Sequence, residues 1–134
     1  MTMNNNKIII TAQPVYLADQ SIVEQQRFLW SYEITIKNDT DEIIQLLNRY
    51  WRITDMSGQI EEVRGPGVVG LQPLIKPGKP FSYTSFCQLA TPQGTMEGNY
   101  EMQTLNDERF QVPIPKFILT SPVSSFATFR SMLH

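Results

Sequence analysis

Apolar side chains recur at every second residue through much of this chain, which is the spacing of strands with one buried face. The segment from residue 27 to residue 38 shows it most clearly, because one parity is apolar and the other is polar. Its apolar side chains are Phe28, Trp30, Tyr32, Ile34 and Ile36. Successive side chains of a strand point to opposite faces of its sheet, so the pattern predicts a β-strand over 27–38. Strands of this kind need two stacked sheets to bury their apolar faces.

Other segments repeat this alternation and are separated by residues that favour turns. We expect further strands at about 8–12, 43–56, 59–64, 81–89, 96–103 and 110–114, with room for a bulge in the second of them. Pro14 either confines the first of these strands to an edge or marks a break in it, because proline cannot donate to a ladder. The glycine- and proline-rich segment 65–80 is expected to be a loop. About seven short strands predict an all-β sandwich of antiparallel strands.

Length and charge limit the classes of protein to which the chain can belong. Its 134 residues predict a single domain, 1–134, with a core of about 9–122 and with tails at 1–6 and 123–134 that can be mobile. In the second tail Phe126, Phe129 and Leu133 have the spacing of one or two helical turns. Eleven Lys and Arg against thirteen Asp and Glu leave a formal charge of −2, which lacks the basic excess of nucleic-acid-binding proteins. We expect no nucleic-acid partner.

Cysteine content and hydropathy favour a cytoplasmic protein. One cysteine, Cys87, cannot close an internal disulfide. No apolar run approaches the roughly 18 residues of a membrane-spanning helix, and Ile8 to Ile10 is too short for a secretory signal. We expect a cytoplasmic chain without membrane insertion, as a monomer or a homodimer.

Residues for nucleophilic, acid–base and metal chemistry are scarce. The only histidine, His134, is the last residue, where it is poorly placed to be the base of a catalytic triad. Cys87 shares the apolar parity of its strand, which is typical of a buried, inert thiol. One Cys and one His cannot complete a structural zinc site. We therefore expect a protein that is not an enzyme, with no catalytic residue, no metal and no cofactor.

Acidic residues gather in one predicted turn, at Asp39, Asp41 and Glu42. A calcium loop needs more carboxylates at alternating positions and a glycine at its bend. A solvated turn is therefore the preferred interpretation, and a direct divalent-cation sensor is the alternative.

Glycines recur as Gly65-x-Gly67-x-x-Gly70, the spacing of a dinucleotide-binding fingerprint. That fingerprint requires a helix directly after the last glycine, and Pro73 and Pro77 would break such a helix. Two interpretations remain: a crossover between the two sheets, or an anion site built from backbone N–H groups. The candidate ligand- or anion-binding residues are Arg64, Gly65, Gly67, Val68, Val69 and Gly70.

Short motifs spaced over nearly the whole chain, from about Ile9 to Pro122, resemble those of the ApaG family. They are Gln45-Leu46-Leu47-Asn48-Arg49-Tyr50-Trp51, Ile53-Thr54-Asp55, Val63-Arg64-Gly65-Pro66-Gly67-Val68-Val69-Gly70, Gln72-Pro73, Pro77-Gly78, Tyr83-Thr84-Ser85, Gly94-Thr95-Met96-Glu97-Gly98 and Ile114-Pro115-Lys116-Phe117. The chain differs from the usual family pattern at Tyr50, Pro66 and Leu71, where a histidine, an acidic residue and a glutamate are common.

The resemblance implies an immunoglobulin- or fibronectin type III-like β-sandwich. In bacteria the family is linked with cobalt resistance and magnesium efflux, and its genes often lie beside that of a diadenosine tetraphosphate hydrolase. In eukaryotes the same domain is attached to F-box proteins and to a protein that interacts with DNA polymerase delta, which implies partner binding. A chain without a membrane span cannot itself be an efflux pore, so the implied role in metal handling is indirect.

These observations predict a non-enzymatic interaction module that uses its loops to bind a protein partner or a small anionic ligand. Sandwich loops on a rigid scaffold suit that task. The alternative is binding of a nucleotide or of pyrophosphate by the loop from Gly65 to Gly70, with weak hydrolysis of a polyphosphate.

Overall fold

A computed structural model describes residues 3–121, which form eight β-strands and no α-helix. The strands are β1 (Ile8–Tyr16), β2 (Phe28–Asn38), β3 (Ile44–Asp55), β4 (Ile60–Pro66), β5 (Leu74–Ile75), β6 (Pro80–Leu89), β7 (Gln93–Thr104) and β8 (Arg109–Thr120). Short 3-10 turns at Asn5–Lys7, Ala18–Gln20 and Val23–Gln25 are the only helical structure in this range. None of the helical segments between residues 3 and 121 could cross a membrane.

The strands form two sheets, which confirms the predicted all-β sandwich. One sheet contains β1, β2 and β6 in that order. The other contains β4, β3, β7 and β8, and β5 adds to it by pairing with the start of β3. All pairings are antiparallel, and the strands are divided between the sheets as in immunoglobulin-like sandwiches.

The unbroken alternation of β2 predicted its extent correctly to within one residue. Its inward side chains Trp30, Ile34 and Ile36 are at most 1% exposed, because they lie between the two sheets. β1 is an edge strand, which is one of the two alternatives that Pro14 predicts.

Several strand boundaries differ from the expectation. β1 runs to Tyr16 rather than to about residue 12, and β7 begins at Gln93 rather than at about residue 96. β8 continues through Pro113 and Pro115 to Thr120, well beyond its predicted end. It lies at the edge of its sheet, so the missing N–H groups of the two prolines need no ladder partner. The predicted loop 65–80 contains the end of β4 and all of β5, which is only two residues long.

Aromatic rings from both sheets meet in the core. Trp51 of β3 packs edge to face against Tyr32 of β2 and Phe117 of β8, with ring centroids 5.5 and 5.9 Å away. The indole N–H of Trp30 donates to the carbonyl of Thr120 at 2.9 Å, which ties the end of β8 to the opposite sheet. Aromatic ring pairs of this kind add about 0.5–1.5 kcal/mol each to the stability gained from burial.

The first described residues pack against the sandwich. Met3 is buried in the core, and the Asn5 side chain donates to the carbonyl of Gln111 at 2.7 Å. Part of the predicted N-terminal tail therefore contacts β8. The predicted C-terminal tail, with its helical spacing, lies outside the described residues.

Candidate functional site

A bulge in β3 determines the direction of the Arg49 side chain. The register of β3 against β7 shifts between Leu46 and Asn48. Before the shift Leu46 is buried, and after it the buried residues are Trp51 and Ile53. The inward parity thus changes from even to odd, so Arg49 shares the inward parity with Trp51. Arg49 is half-buried as a result.

Hydrogen bonds at the same bulge hold the segment after β4 against the sheet. The carbonyl of Leu47 accepts hydrogen bonds from the backbone N–H of Gly67 at 2.8 Å and from the side chain of Gln72 at 2.9 Å. The backbone N–H of Leu46 donates to the carbonyl of Pro73 at 3.1 Å. Residues 67–79, called the crossover here, then lead from the five-stranded to the three-stranded sheet, as one of the two interpretations predicts.

A tight turn forms the tip of the crossover. Val68 and Leu71 exchange two backbone hydrogen bonds of 2.8 and 2.9 Å, with Val69 and Gly70 between them at φ of 43° and 81°. Two positive φ values make this a type I′ turn, which favours Asn-Gly or Gly-Gly. A β-branched residue in the left-handed region is strained by about 1–2 kcal/mol. Val69 is nevertheless 54% exposed, so burial of its side chain does little to offset the strain.

Replacing Val69 by asparagine is expected to stabilise the protein by about 1 kcal/mol, because asparagine tolerates the left-handed conformation. The midpoint of urea unfolding should rise accordingly. Val15 is a matched control, since it is equally exposed, at 55%, but lies in β1. Val15→Asn should lower stability because asparagine is disfavoured in strands. Equal losses from both substitutions would contradict the strained turn.

Arg49 lies against the backbone of the glycine-rich segment. Its Nη1 atom donates to the carbonyl oxygens of Pro66 at 2.9 Å and Gly67 at 3.0 Å. The guanidinium covers Gly65 so closely that a Cβ atom there would lie 3.0 Å from both Nη atoms. Among residues 3–121 no carboxylate forms an ion pair with Arg49.

Arg49 lines two cavities. The outer one, of about 440 Å³, opens on the solvent face of the five-stranded sheet; it is lined by Asn48, Arg49, Tyr50, Arg64, Gly65, Pro66, Asn99, Glu101 and Gln111. The inner one, of about 210 Å³, lies at the crossover tip; it is lined by Tyr32, Arg49, Trp51, Val68, Val69, Gly70, Tyr83 and Ser85.

The two cavities differ in charge. On the outer face Arg64 stacks on the ring of Tyr50 at 4.4 Å and lies 3.4 Å from a carboxylate oxygen of Glu62. Glu101 there accepts a hydrogen bond of 2.7 Å from the amide of Asn48. Of the residues from 3 to 121 that line the inner cavity, Arg49 is the one with a charge. The inner cavity therefore has a net positive charge, whereas nearby carboxylates compensate the positive charges of the outer cavity.

Buried hydroxyl and thiol groups near the inner cavity retain their protons at neutral pH. The phenols of Tyr83 and Tyr100 are hydrogen-bonded to each other, and burial raises the pKa of both. Burial also raises the pKa of Tyr32, against an opposing effect of its hydrogen bond with Ser85. Burial, with a smaller effect of Glu61, raises the pKa of the Cys87 thiol to about 12. These groups are therefore neutral rather than ready to act as bases.

The structure places five of the six predicted site residues in the two cavities, and Gly67 lines neither of them. Arg64 and Gly65 line the outer cavity, and Val68, Val69 and Gly70 line the inner one. The N–H groups of Gly67 and Val68 donate to protein carbonyls, while those of Val69 and Gly70 have no partner among the described residues. An anion bound at this loop would therefore accept hydrogen bonds from two free backbone N–H groups, those of Val69 and Gly70, rather than from a full set of loop amides.

Arg49 was not among the predicted site residues, although it contacts both parts of the site. The signal that points to it is the pair Leu46-Leu47, where two adjacent apolar residues interrupt the alternation of β3. Such a pair marks a bulge and reverses the inward parity of the later residues in the strand. Tyr32, which the alternation of β2 predicts to be a buried residue, also lines the inner cavity, together with Tyr83.

The acidic turn after β2 is organised by hydrogen bonds. The buried Asn38 side chain accepts from the backbone N–H of Thr40 at 3.0 Å and donates to the carbonyls of Glu42 and Ile75 at 2.8 and 2.9 Å. Asp39 lies 3.7 Å from the ammonium of Lys37. Within residues 3–121 no three potential ligand side chains converge on one point for a metal ion.

Comparison with known proteins shows similarity to one family over most of the chain. A family model described as the ApaG domain matches residues 18–104. The chain is 52% identical to Protein ApaG of Parvibaculum lavamentivorans over 95% of its own length and 94% of that protein, and 51% identical to Protein ApaG of Agrobacterium fabrum over 86% and 88%. A crystal structure of an ApaA protein from Bordetella pertussis superimposes with a TM-score of 0.84 at 42% identity, covering 87% of this chain and 94% of that one.

Proposed function

Because this chain belongs to the ApaG family, we propose that it is a non-enzymatic interaction module which binds a protein partner or a small ligand through its crossover. The observation that carries the proposal is the exposed, strained Val69 at the tip of a loop that is otherwise firmly fixed. Backbone strain persists where the surrounding structure enforces it, and it is concentrated at binding sites.

Exposed apolar side chains along the crossover support this proposal. Val69, Leu71 and Leu74 are 54, 54 and 58% exposed on one short segment. Grouped apolar side chains on a surface are typical of interaction sites, whereas scattered ones are ordinary. Hydrogen bonds to Leu46 and Leu47 hold this segment in place, so a partner would meet a preformed surface.

The protonated state of the buried groups supports a non-enzymatic role. A general base must lose its proton near neutral pH, and the raised pKa values of Cys87, Tyr83 and Tyr100 work against that. We propose that the chain acts in the bacterial cytoplasm, as a monomer or a homodimer, and that its connection with cobalt resistance and magnesium efflux is indirect.

Affinity capture with crossover variants tests the proposal. Val69→Asn combined with Leu71→Asn removes apolar contacts at the tip, and the first substitution is expected to raise stability, so unfolding would not explain lost binding. We expect at least a tenfold decrease in the specific partners that mass spectrometry detects.

The matched control is Val15→Asn combined with Leu105→Asn, because both residues are exposed but lie on β1 and on the β7–β8 turn. This variant should retain the partners of the wild-type protein. If both double variants captured the same partner proteins in the same amounts, the crossover would not be the binding surface.

A second candidate function is binding of an anion such as pyrophosphate at the loop from Gly65 to Gly70. It is supported by the free N–H groups of Val69 and Gly70 beside a guanidinium without a carboxylate partner. Isothermal calorimetry with pyrophosphate tests it, and the absence of heat at millimolar pyrophosphate would exclude it.

A further inference from the structure

Arg49 has one unused edge. Its Nη1 atom donates to two loop carbonyls, whereas Nε and Nη2 make no hydrogen bond with residues 3–121. No buried side-chain nitrogen or oxygen of the described residues lacks a partner, so these two nitrogens must be accessible to solvent. Nε and Nη2 together form the fork that binds a carboxylate through two parallel hydrogen bonds.

The surroundings of Arg49 favour an anion. None of the described residues that line the inner cavity is acidic. Its polar groups include the hydroxyls of Tyr32 and Ser85 and the free amides of Val69 and Gly70. Hydrogen bonds to the two loop carbonyls hold Nη1 of Arg49 in place. Such a fixed fork loses little conformational entropy when a ligand binds.

We propose that the inner cavity is a carboxylate-binding site in which Nε and Nη2 of Arg49 hold the two oxygens. The carboxylate comes from a free small acid or from the chain end of a partner protein. This inference rests on the proposed interaction function, because it names the chemical group that the crossover recognises.

Charge and lining distinguish a carboxylate from a phosphate. Arg49 supplies a single positive charge, which matches a monoanion and leaves a pyrophosphate largely uncompensated. The walls contributed by Trp51, Val68 and Val69 are apolar and suit a hydrocarbon stem next to the charge. The cavity of about 210 Å³ is also too small to enclose a whole nucleotide, given that ligand pockets typically span roughly 300–1,000 Å³.

Titration by NMR tests this inference directly on the wild-type protein. The probes are acetate, N-acetyl-leucine, its uncharged analogue N-acetyl-leucinamide, inorganic phosphate and pyrophosphate. We expect N-acetyl-leucine to shift the amides of Val69 and Gly70 and the Nε–H of Arg49 with a Kd on the order of millimolar. Acetate should bind at least tenfold more weakly, and the amide analogue should cause no saturable shift.

Substitutions of Arg49 show whether the fork is responsible. Arg49→Lys keeps the charge without the fork and should weaken binding at least tenfold, and Arg49→Gln should abolish it. Arg52→Gln is the matched control, because Arg52 is exposed on the same strand with the opposite parity, and it should bind as the wild type does. Unchanged binding in Arg49→Gln would overturn the proposal.

The source of the carboxylate is identified by two arms of the titration. Tighter binding of a peptide ending in leucine than of N-acetyl-leucine supports a partner's chain end, and equal binding supports a free acid. Phosphate or pyrophosphate binding without any carboxylate response would overturn the inference. Capture that depends on Val69 and Leu71 but not on Arg49, with no carboxylate shift, would overturn the inference and leave the proposed function standing.

Discussion

Alanine in place of Gly98 is expected to leave the protein largely unfolded, or to lower its melting temperature by more than about 10 °C. A Cβ atom at this position would lie 1.9 Å from the carbonyl oxygen of Tyr50 and 3.1 Å from the Cα atom of Trp51. Both are backbone atoms of β3, so no side-chain movement relieves the overlap. Gly98 also pairs with β8 on its other side, next to a bulge. The cost, more than about 4 kcal/mol, approaches the whole stability of a small domain.

Gly70→Ala is the matched control for Gly98→Ala. Gly70 has a positive φ of 81°, but no atom of the described part of the chain lies within 4 Å of the position of a Cβ. Alanine there therefore meets backbone strain without overlap. We expect a loss of about 1–2 kcal/mol. Melting temperatures from circular dichroism compare the two variants. If they melt within a few degrees of each other, the close approach of β7 and β3 at Gly98 is not as described.

The strands that alternate without interruption could be predicted from the sequence, and β2 is the clearest case. Alternation of apolar and polar residues indicates that one face of a strand is buried. In β2 the buried positions begin at its first residue, Phe28, and end at its last, Asn38. β5 could not be predicted, because two residues contain no period. Leu74 and Ile75 pair with Gln45 and Ile44, so β5 exists only through a contact between distant parts of the chain.

The glycines at 65, 67 and 70 have separate local causes rather than a common one. Gly65 leaves room for the guanidinium of Arg49. Gly67 combines a φ of 62° with a backbone so close to Leu71 that a Cβ would lie 2.1 Å from the Leu71 carbonyl oxygen. Gly70 occupies the second central position of the turn. A motif search reports spacing alone and cannot separate these causes from phosphate binding.

Arg49 shows why the site was harder to predict than the fold. Its direction depends on the bulge at Leu47, and one extra residue reverses the faces of all later residues in the strand. The sequence indicated room for a bulge in this strand without its position. Once the bulge is placed between Leu46 and Asn48, parity alone gives the inward direction of Arg49.

Alkaline pH is expected to destabilise the protein steeply. Tyr32, Tyr83, Cys87 and Tyr100 are each less than a tenth exposed, and burial raises the pKa of each in the folded state. In the unfolded chain cysteine and tyrosine ionise near pH 8.5 and about pH 10. Above these values the unfolded state releases protons that the folded state retains, so the free energy of unfolding decreases as pH rises.

The expected loss is about 1.4 kcal/mol per pH unit for each group between its unfolded and its folded pKa, and up to roughly 8 kcal/mol in total by about pH 11. Urea unfolding between neutral pH and that value, followed by circular dichroism, measures it. Replacing Tyr83 and Tyr100 together by phenylalanine preserves ring packing and removes both partners of one hydrogen bond, so stability near neutral pH should change little. Above about pH 10 the free energy of unfolding of this double variant should decrease roughly half as steeply with pH as that of the wild type, since two of the four groups are absent. A decline as steep as that of the wild type would show that these phenols do not drive the alkaline transition.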